Sequence, residues 1–138
     1  MTTLYDLIKS GKAPTPQCAL TLGSEITHYC PEKMEIPCEF DGKEVFTNPS
    51  GGIQGGFLCA MLDDAMAPAL VFGLPVGHYA PTLELRTQFV RPAKVGKITG
   101  HGRVVSKGKK IAFLEGELVQ DGKLIAKGSA TAMLVEPK

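Results

Sequence analysis

Two adjacent carboxylates, Asp63 and Asp64, stand in an otherwise apolar stretch that follows a glycine-rich loop. The stretch reads Asn48-Pro49-Ser50-Gly51-Gly52-Ile53-Gln54-Gly55-Gly56-Phe57-Leu58-Cys59-Ala60-Met61-Leu62-Asp63-Asp64-Ala65-Met66. A carboxylate can serve as a general base or as a nucleophile. Buried without a partner it is costly, so at least one of these acids calls for a partner or a purpose. Gly51, Gly52, Gly55 and Gly56 let the backbone approach a ligand closely, because glycine has no Cβ. The first N–H groups of a helix lack intrahelical acceptors and carry partial positive charge. A loop of this kind feeding a helix start is a place to hold a carbonyl oxygen or an anion.

The element that must position these groups is a helix beginning near Gly52 to Gln54 and running to about Val71, before Gly73-Leu74-Pro75. It is apolar nearly all round, which predicts burial. At about 100° per residue, Phe57, Leu58, Met61, Leu62, Ala65 and Ala69 share one broad face. Asp63 lies opposite, among Gly56, Cys59, Ala60 and Ala67, on a small-residued strip along which something slender can lie. Asp64 points about 100° away, between Met61 and Pro68. The projection favours Asp63 as the functional acid. Asp64 reads equally well as a solvated residue on an exposed edge. Pro68 removes an amide from the helical ladder and predicts a kink, with a stop just before it as the alternative.

Leu4, Leu7 and Ile8 recur at helical spacing between Thr3 and Ser10, with Gly11 as a stop. Ala13-Pro14-Thr15-Pro16 breaks the pattern, and Gln17 to Leu22 can form a helical turn before Gly23. Ser24 to Tyr29 and Lys33 to Phe40 read as strands, and Asp41-Gly42-Lys43 reads as a turn. After His78 the pattern is strands only: Pro81 to Arg91, Lys97 to Ser106, Ile111 to Gln120 and Lys123 to Val135. Asp121-Gly122 is a two-residue hairpin signal. Along the last strand Leu124, Ala126, Gly128, Ala130, Ala132 and Leu134 share a face small enough for a helix to press against. Two early strands, one long helix and four further strands predict an α+β fold, with a five- or six-stranded antiparallel sheet curved about a central helix.

The chain has 138 residues, which suits one domain spanning 1–138 with a short helical extension at about 1–22. A net charge of +1 gives no broad attraction to nucleic acid or membrane. No apolar run is long enough to span a bilayer, and the start lacks a secretory pattern, so a cytoplasmic location is expected. Cys18, Cys30, Cys38 and Cys59 form no Cys-x-x-Cys pair and read as reduced, buried residues. Cys59 as a nucleophile would need a histidine that the sequence does not place beside it. His28, His78 and His101 show no metal-ligand spacing. No metal and no cofactor are expected.

The central stretch resembles the signature of hotdog-fold acyl-CoA thioesterases of the phenylacetate-degradation (PaaI-like) type. That pattern runs Asn, a short loop, His-Gly-Gly, then an acid nine residues after the His. Asn48, Gly55-Gly56 and Asp63 fill those places here. Thr82-Leu83-Glu84-Leu85-Arg86-Thr87-Gln88-Phe89-Val90-Arg91-Pro92 resembles the family's strand ending in Arg-Pro, and Leu22-Gly23 its Leu-Gly pair. The likeness spans about Gly23 to Val135. It implies hydrolysis of an acyl-CoA thioester at sites shared across a homodimer, which can pair into a homotetramer. Asn48 and Gly55 would come from one subunit, and Asp63 and Thr82 from the other, with Gly56 and Arg91 on the substrate.

Each role has a plainer alternative. Gly55 can serve only a turn, Asn48 before Pro49 is a good turn former, and a strand threonine such as Thr82 is often structural. Gln54 stands where this branch of the family has histidine. Its amide can donate but cannot titrate. Other hotdog branches place Gln or Asn around this site. Arg91, Lys94, Lys97, Lys107, Lys109 and Lys110 are candidates for the phosphates of coenzyme A. Gln54 would suit a non-catalytic acyl-CoA binding or sensing protein. A hotdog enoyl-CoA hydratase would need an Asp and His motif that is absent here.

Overall fold

The computed structural model describes residues 2–138. Its central element, α3, runs from Gly55 to Val71. Leu, Met and Ala dominate it, and Val71 is its only β-branched residue, so little side-chain entropy opposes the helix. Gln54 caps it, its Oε1 accepting from the Gly56 N–H at 2.8 Å. The helix continues through Pro68 and does not stop before it. Past it, the Phe72 N–H donates to the Pro68 carbonyl at 2.9 Å. Leu58, Met61, Leu62, Ala65, Met66, Ala69 and Leu70 are buried, a wider face than the projection gives, because the sheet curves around the helix. Phe57 is only half-buried and stacks on Phe46, ring centres 4.3 Å apart.

The sheet has six strands: β1 Glu25–Ile26, β2 Glu35–Gly42, β3 Thr82–Phe89, β4 Gly96–Lys107, β5 Ile111–Gln120 and β6 Lys123–Met133. Their spatial order is β1-β2-β4-β5-β6-β3, antiparallel throughout. Gly102 on β4, Gly116 on β5 and Gly128 on β6 pair in one row beneath α3. A Cβ at Gly102 would lie 2.5 Å from the Ala65 carbonyl carbon and 2.9 Å from the Met66 Cα. Backbone thus meets backbone where the helix crosses the sheet. The Asp121-Gly122 hairpin forms as expected, with φ of 52° and 75°.

Three local expectations need correction. Asp41 and Gly42 are not a turn: they continue β2, paired with Lys97 and Gly96. A Cβ at Gly42 would meet the Gly96 carbonyl oxygen at 2.7 Å, so the glycine serves close strand approach. The first strand shrinks to Glu25–Ile26, because Tyr29 turns inward to pack against Tyr5 and Phe72. In β6 a register shift lets both Ile125 and Ala126 be buried, which strict alternation forbids. Two short helices precede the sheet, α1 Leu4–Lys9 and α2 Gln17–Leu22, closed by Gly11 at φ 77° and Gly23 at φ 61°. Among the described residues no helix is long and apolar enough to cross a membrane.

Candidate active site

Residues 47–54 form a loop tied to itself. The Asn48 Oδ1 accepts from the Ser50 N–H at 3.0 Å, the Ser50 hydroxyl at 2.8 Å and the Gly52 N–H at 3.2 Å. Asn48 is therefore the loop's organiser, and its Nδ2 has no acceptor among the described residues. The Ile53 N–H donates to the Ala93 carbonyl at 2.9 Å, anchoring the loop to the segment after Arg91-Pro92. At the helix start, Gln54 accepts from Gly56 through its side chain, and from Phe57 and Leu58 through its carbonyl. The Gly55 N–H has no acceptor among the described residues. Phe89 lies over Gly55, its ring 3.1 Å from where a Cβ would stand. A cavity of about 720 Å³ opens here, lined by Asn48, Gly55, Phe89, Arg91 and Lys94 among others.

The acid lies further along the same helix. The Thr82 hydroxyl donates to the Asp63 Oδ1 at 2.8 Å in a half-buried setting. Asp63 Oδ2 has no hydrogen-bond partner among the described residues. Simple alternation would turn Thr82 to the outer face with Glu84 and Arg86. A register shift between Thr82 and Glu84 reverses that parity. Thr82, Thr87 and Phe89 therefore all face α3, opposite Asp63, Cys59 and Gly55. The Cys59 thiol donates to the Thr87 hydroxyl at 3.4 Å. Thr87 and Phe89 share the inner face with Leu85 by plain alternation, a signal the sequence reading did not use; only Thr82 has its facing reversed by the bulge.

Of the residues singled out, the fold brings together Asn48, Gly55 and Arg91, and separately Asp63 and Thr82. Eight residues of helix separate Gly55 from Asp63, about 12 Å. Gly56 is exposed at the helix start. Arg91 is held by its Nη1, which donates to the Leu124 carbonyl at 2.9 Å.

The lysines do not form one anchor. Lys94 and Lys97 lie at one end of β4, and Lys107, Lys109 and Lys110 at the other, about 33 Å apart along an extended strand. Lys97 is also engaged by Glu39 at 3.3 Å. The cysteines were expected to be buried, but only Cys38 is: Cys18 is exposed, Cys30 and Cys59 half-buried. Burial pushes the Cys38 thiol up to about 12, with Asp64 and Glu39 adding to it. Asp64 is half-buried rather than solvated, against the N-terminal helices. Burial raises its carboxyl above the ordinary value; the Ser24 hydroxyl offsets part of this and the neighbouring Asp63 charge adds to it. Among the described residues no group of three His, Cys, Asp or Glu side chains could hold a metal ion.

The family model of the thioesterase superfamily matches residues 51–126, which hold the glycine loop, α3 and most of the sheet. A phenylacetic acid degradation-related protein from Ralstonia eutropha JMP134 is 38% identical, with a TM-score of 0.91, over 94% of this chain and 98% of that one. The PaaI protein of the Escherichia coli phenylacetic acid degradation operon shares the fold at 21% identity and a TM-score of 0.82, over 94% and 92% of the two chains. A Haemophilus influenzae thioesterase does so at 20% identity and a TM-score of 0.82, over 99% and 92%. No curated protein matches the chain. A loop feeding one long helix, wrapped by a six-stranded antiparallel sheet, is what these relatives share with it, and the chain belongs to the thioesterase superfamily, with the hotdog fold and a PaaI-like character.

Proposed function

We propose that the chain hydrolyses an acyl-CoA thioester to a free acid and coenzyme A, at two sites shared between the copies of a homodimer. The observation that carries this reading is the hydrogen bond from Thr82 to Asp63 at 2.8 Å, which fixes one carboxylate oxygen and leaves the other open. Hydrolysis needs donors on the thioester oxygen as it becomes negative, and a group that activates water. The free Gly55 N–H and the Asn48 Nδ2 are the donors. Asp63 is either general base or nucleophile. As base it takes a proton from water as the oxygen adds to the acyl carbon. The tetrahedral oxyanion then collapses, the C–S bond breaks, and the sulfur leaves with a proton. As nucleophile its free oxygen forms an acyl anhydride, expelling the thiolate, and water then cleaves that anhydride. Gln54, whose Oε1 is engaged in capping, orients the substrate through its amide N–H.

A carbonyl held within about 3 Å of Gly55 cannot also reach an Asp63 about 12 Å away on the same helix. Two copies with their α3 helices antiparallel across a two-fold axis remove that conflict. β3, beside the strip, is an edge strand with unpaired backbone groups and half-exposed Leu83 and Phe89, a surface suited to a second copy. Arg91 and Lys94 beside the loop cavity suit the phosphates of coenzyme A. A second reading, a non-catalytic acyl-CoA binder, draws on Gln54, whose observed contact is a helix cap.

Thiol release measured over a panel of acyl-CoA thioesters separates the two. Asp63→Asn is expected to lower turnover by at least about 10²-fold, and Asp64→Asn far less. Equal losses at both positions, or none at either, would overturn the assignment. Mixing Asn48→Ala with Asp63→Asn subunits should restore activity, because a mixed dimer rebuilds one intact site. Failure to restore it, with subunit exchange verified, would sink the shared site.

A further inference from the structure

The second acid has its own cavity. About 290 Å³ opens between α1, α2, β1 and the side of α3 that carries Asp64 and Pro68. Its walls are Tyr5, Ile8, Ala19, Ile26, Pro68 and Phe72, with Asp64 and Ser24 as polar groups and Lys9 and Glu25 among the lining residues. The size is near the lower limit for a small-molecule site, and the make-up, apolar walls with few polar groups, is the usual one.

Two carboxylates, Asp64 and Glu25, line the cavity against one cation, Lys9. No cationic side chain lies within 4 Å of the Asp64 carboxylate among the described residues. Lys9 is the cation lining the cavity; its Nζ lies on two of the walls, 3.4 Å from the Ile26 carbonyl and 5.7 Å from the Tyr5 ring centre, and forms no ion pair with Asp64. Pro68 has no N–H to give the Asp64 carbonyl four residues earlier, so that carbonyl lacks its usual helical donor. Asp64 therefore presents a partly desolvated carboxylate together with a carbonyl short of a donor. Asp63 and Glu25 add negative charge nearby. An ammonium carries three donors and a positive charge, and Phe72 offers it an aromatic surface, the Tyr5 ring being already approached by Lys9.

We propose that this cavity binds a compact organic ammonium, its apolar body against Tyr5, Ile8 and Phe72 and its protonated amine on Asp64. Two sources share that chemistry: a free amine, or an amine at the far end of the acyl group. Only the second rests on the thioesterase reading.

Titration calorimetry with 2-phenylethylamine, and with 2-phenylethanol as its neutral counterpart, tests the proposal on the full chain. The amine should bind, and the alcohol should bind at least about tenfold more weakly, as expected for losing a charge-assisted hydrogen bond. Asp64→Asn should abolish the preference for the amine. Should that variant not fold, Tyr5→Ala serves instead and should weaken the amine by removing a wall. No binding of the amine, equal binding of amine and alcohol, or an undiminished preference in Asp64→Asn would overturn the proposal. Where the amine binds, competition against acyl-CoA turnover assigns the cavity to the acyl path, and binding without competition assigns it to a free amine. Turnover without amine binding defeats this inference alone, and amine binding without turnover on any thioester defeats the hydrolase alone.

Discussion

Gly102→Ala is the substitution that most directly couples the fold to the site. The added Cβ would stand 2.5 Å from the Ala65 carbonyl carbon and 2.9 Å from the Met66 Cα, where ordinary contact begins at 3.4 Å. Both obstacles are helix backbone, so no rotamer change relieves them. The Ala65 carbonyl oxygen is nearer still, so the helix must retreat from β4 by more than about 1 Å. A gap of about 1 Å already forfeits about half of the dispersion energy of each contact it opens. Met61, Leu62, Ala65 and Met66 are fully buried on that face and would share the loss. Overpacking costs about 1–3 kcal/mol in cores that can adjust, and this one cannot do so with side chains alone. We expect a net loss of about 3 kcal/mol, after the roughly 0.5–1 kcal/mol that alanine regains over glycine in a strand. For a domain this size that is roughly a 10 °C fall in Tm. Gly116→Ala should cost less, because its nearest obstacle, the Met66 Cγ at 2.8 Å, belongs to a flexible side chain. Urea unfolding of the three proteins gives the comparison. Turnover in folded Gly102→Ala should also fall, because a displaced helix draws Asp63 away from Thr82. Stability within about 0.5 kcal/mol of the parent, or a larger loss at Gly116, would refute the reasoning.

Three further outcomes follow from the site. Thr82→Val removes the hydroxyl that donates to Asp63 at 2.8 Å, and should lower turnover about 10- to 100-fold, the worth of a hydrogen bond to a charged group. Added to Asp63→Asn it should cost little more, and fully additive losses would show that Thr82 acts elsewhere. Gln54→His should raise turnover and give it a dependence near neutral pH if proton transfer at this position matters; an unchanged pH profile assigns position 54 to orientation and capping. Asp64→Asn should raise Tm at neutral pH, because burial lifts this carboxyl above its ordinary 3.8 and its ionisation opposes folding. The stability tied to its protonated form is complete below 3.8 and lost as pH rises through the raised value, so the gain from Asn should vanish below 3.8. A gain of equal size at pH 3 and pH 7 would contradict this.

Much of the architecture is local in origin and was legible in the sequence. The apolar period of α3, the glycines before it and the positive-φ turn at Asp121-Gly122 each depend on a few neighbouring residues. The angular separation of Asp63 from Asp64 also follows from helical geometry alone. The short capped helix at Leu4–Lys9 belongs to the same class, its Thr3 and Asp6 forming a capping box. The tertiary structure decided what depends on partners distant in sequence. A bulge, invisible to alternation, turns Thr82 toward Asp63. Gly42 resembles a turn residue until β4 lies against it. The lysines resemble one cluster until a twelve-residue strand holds them apart. Asp64 resembles an exposed acid until α1, α2 and β1 fold over it. The physical reason is common to all four: backbone preference and hydrophobic period act over a few residues. Register, bulges and the covering of a face are fixed only when long-range pairing closes the sheet around the helix.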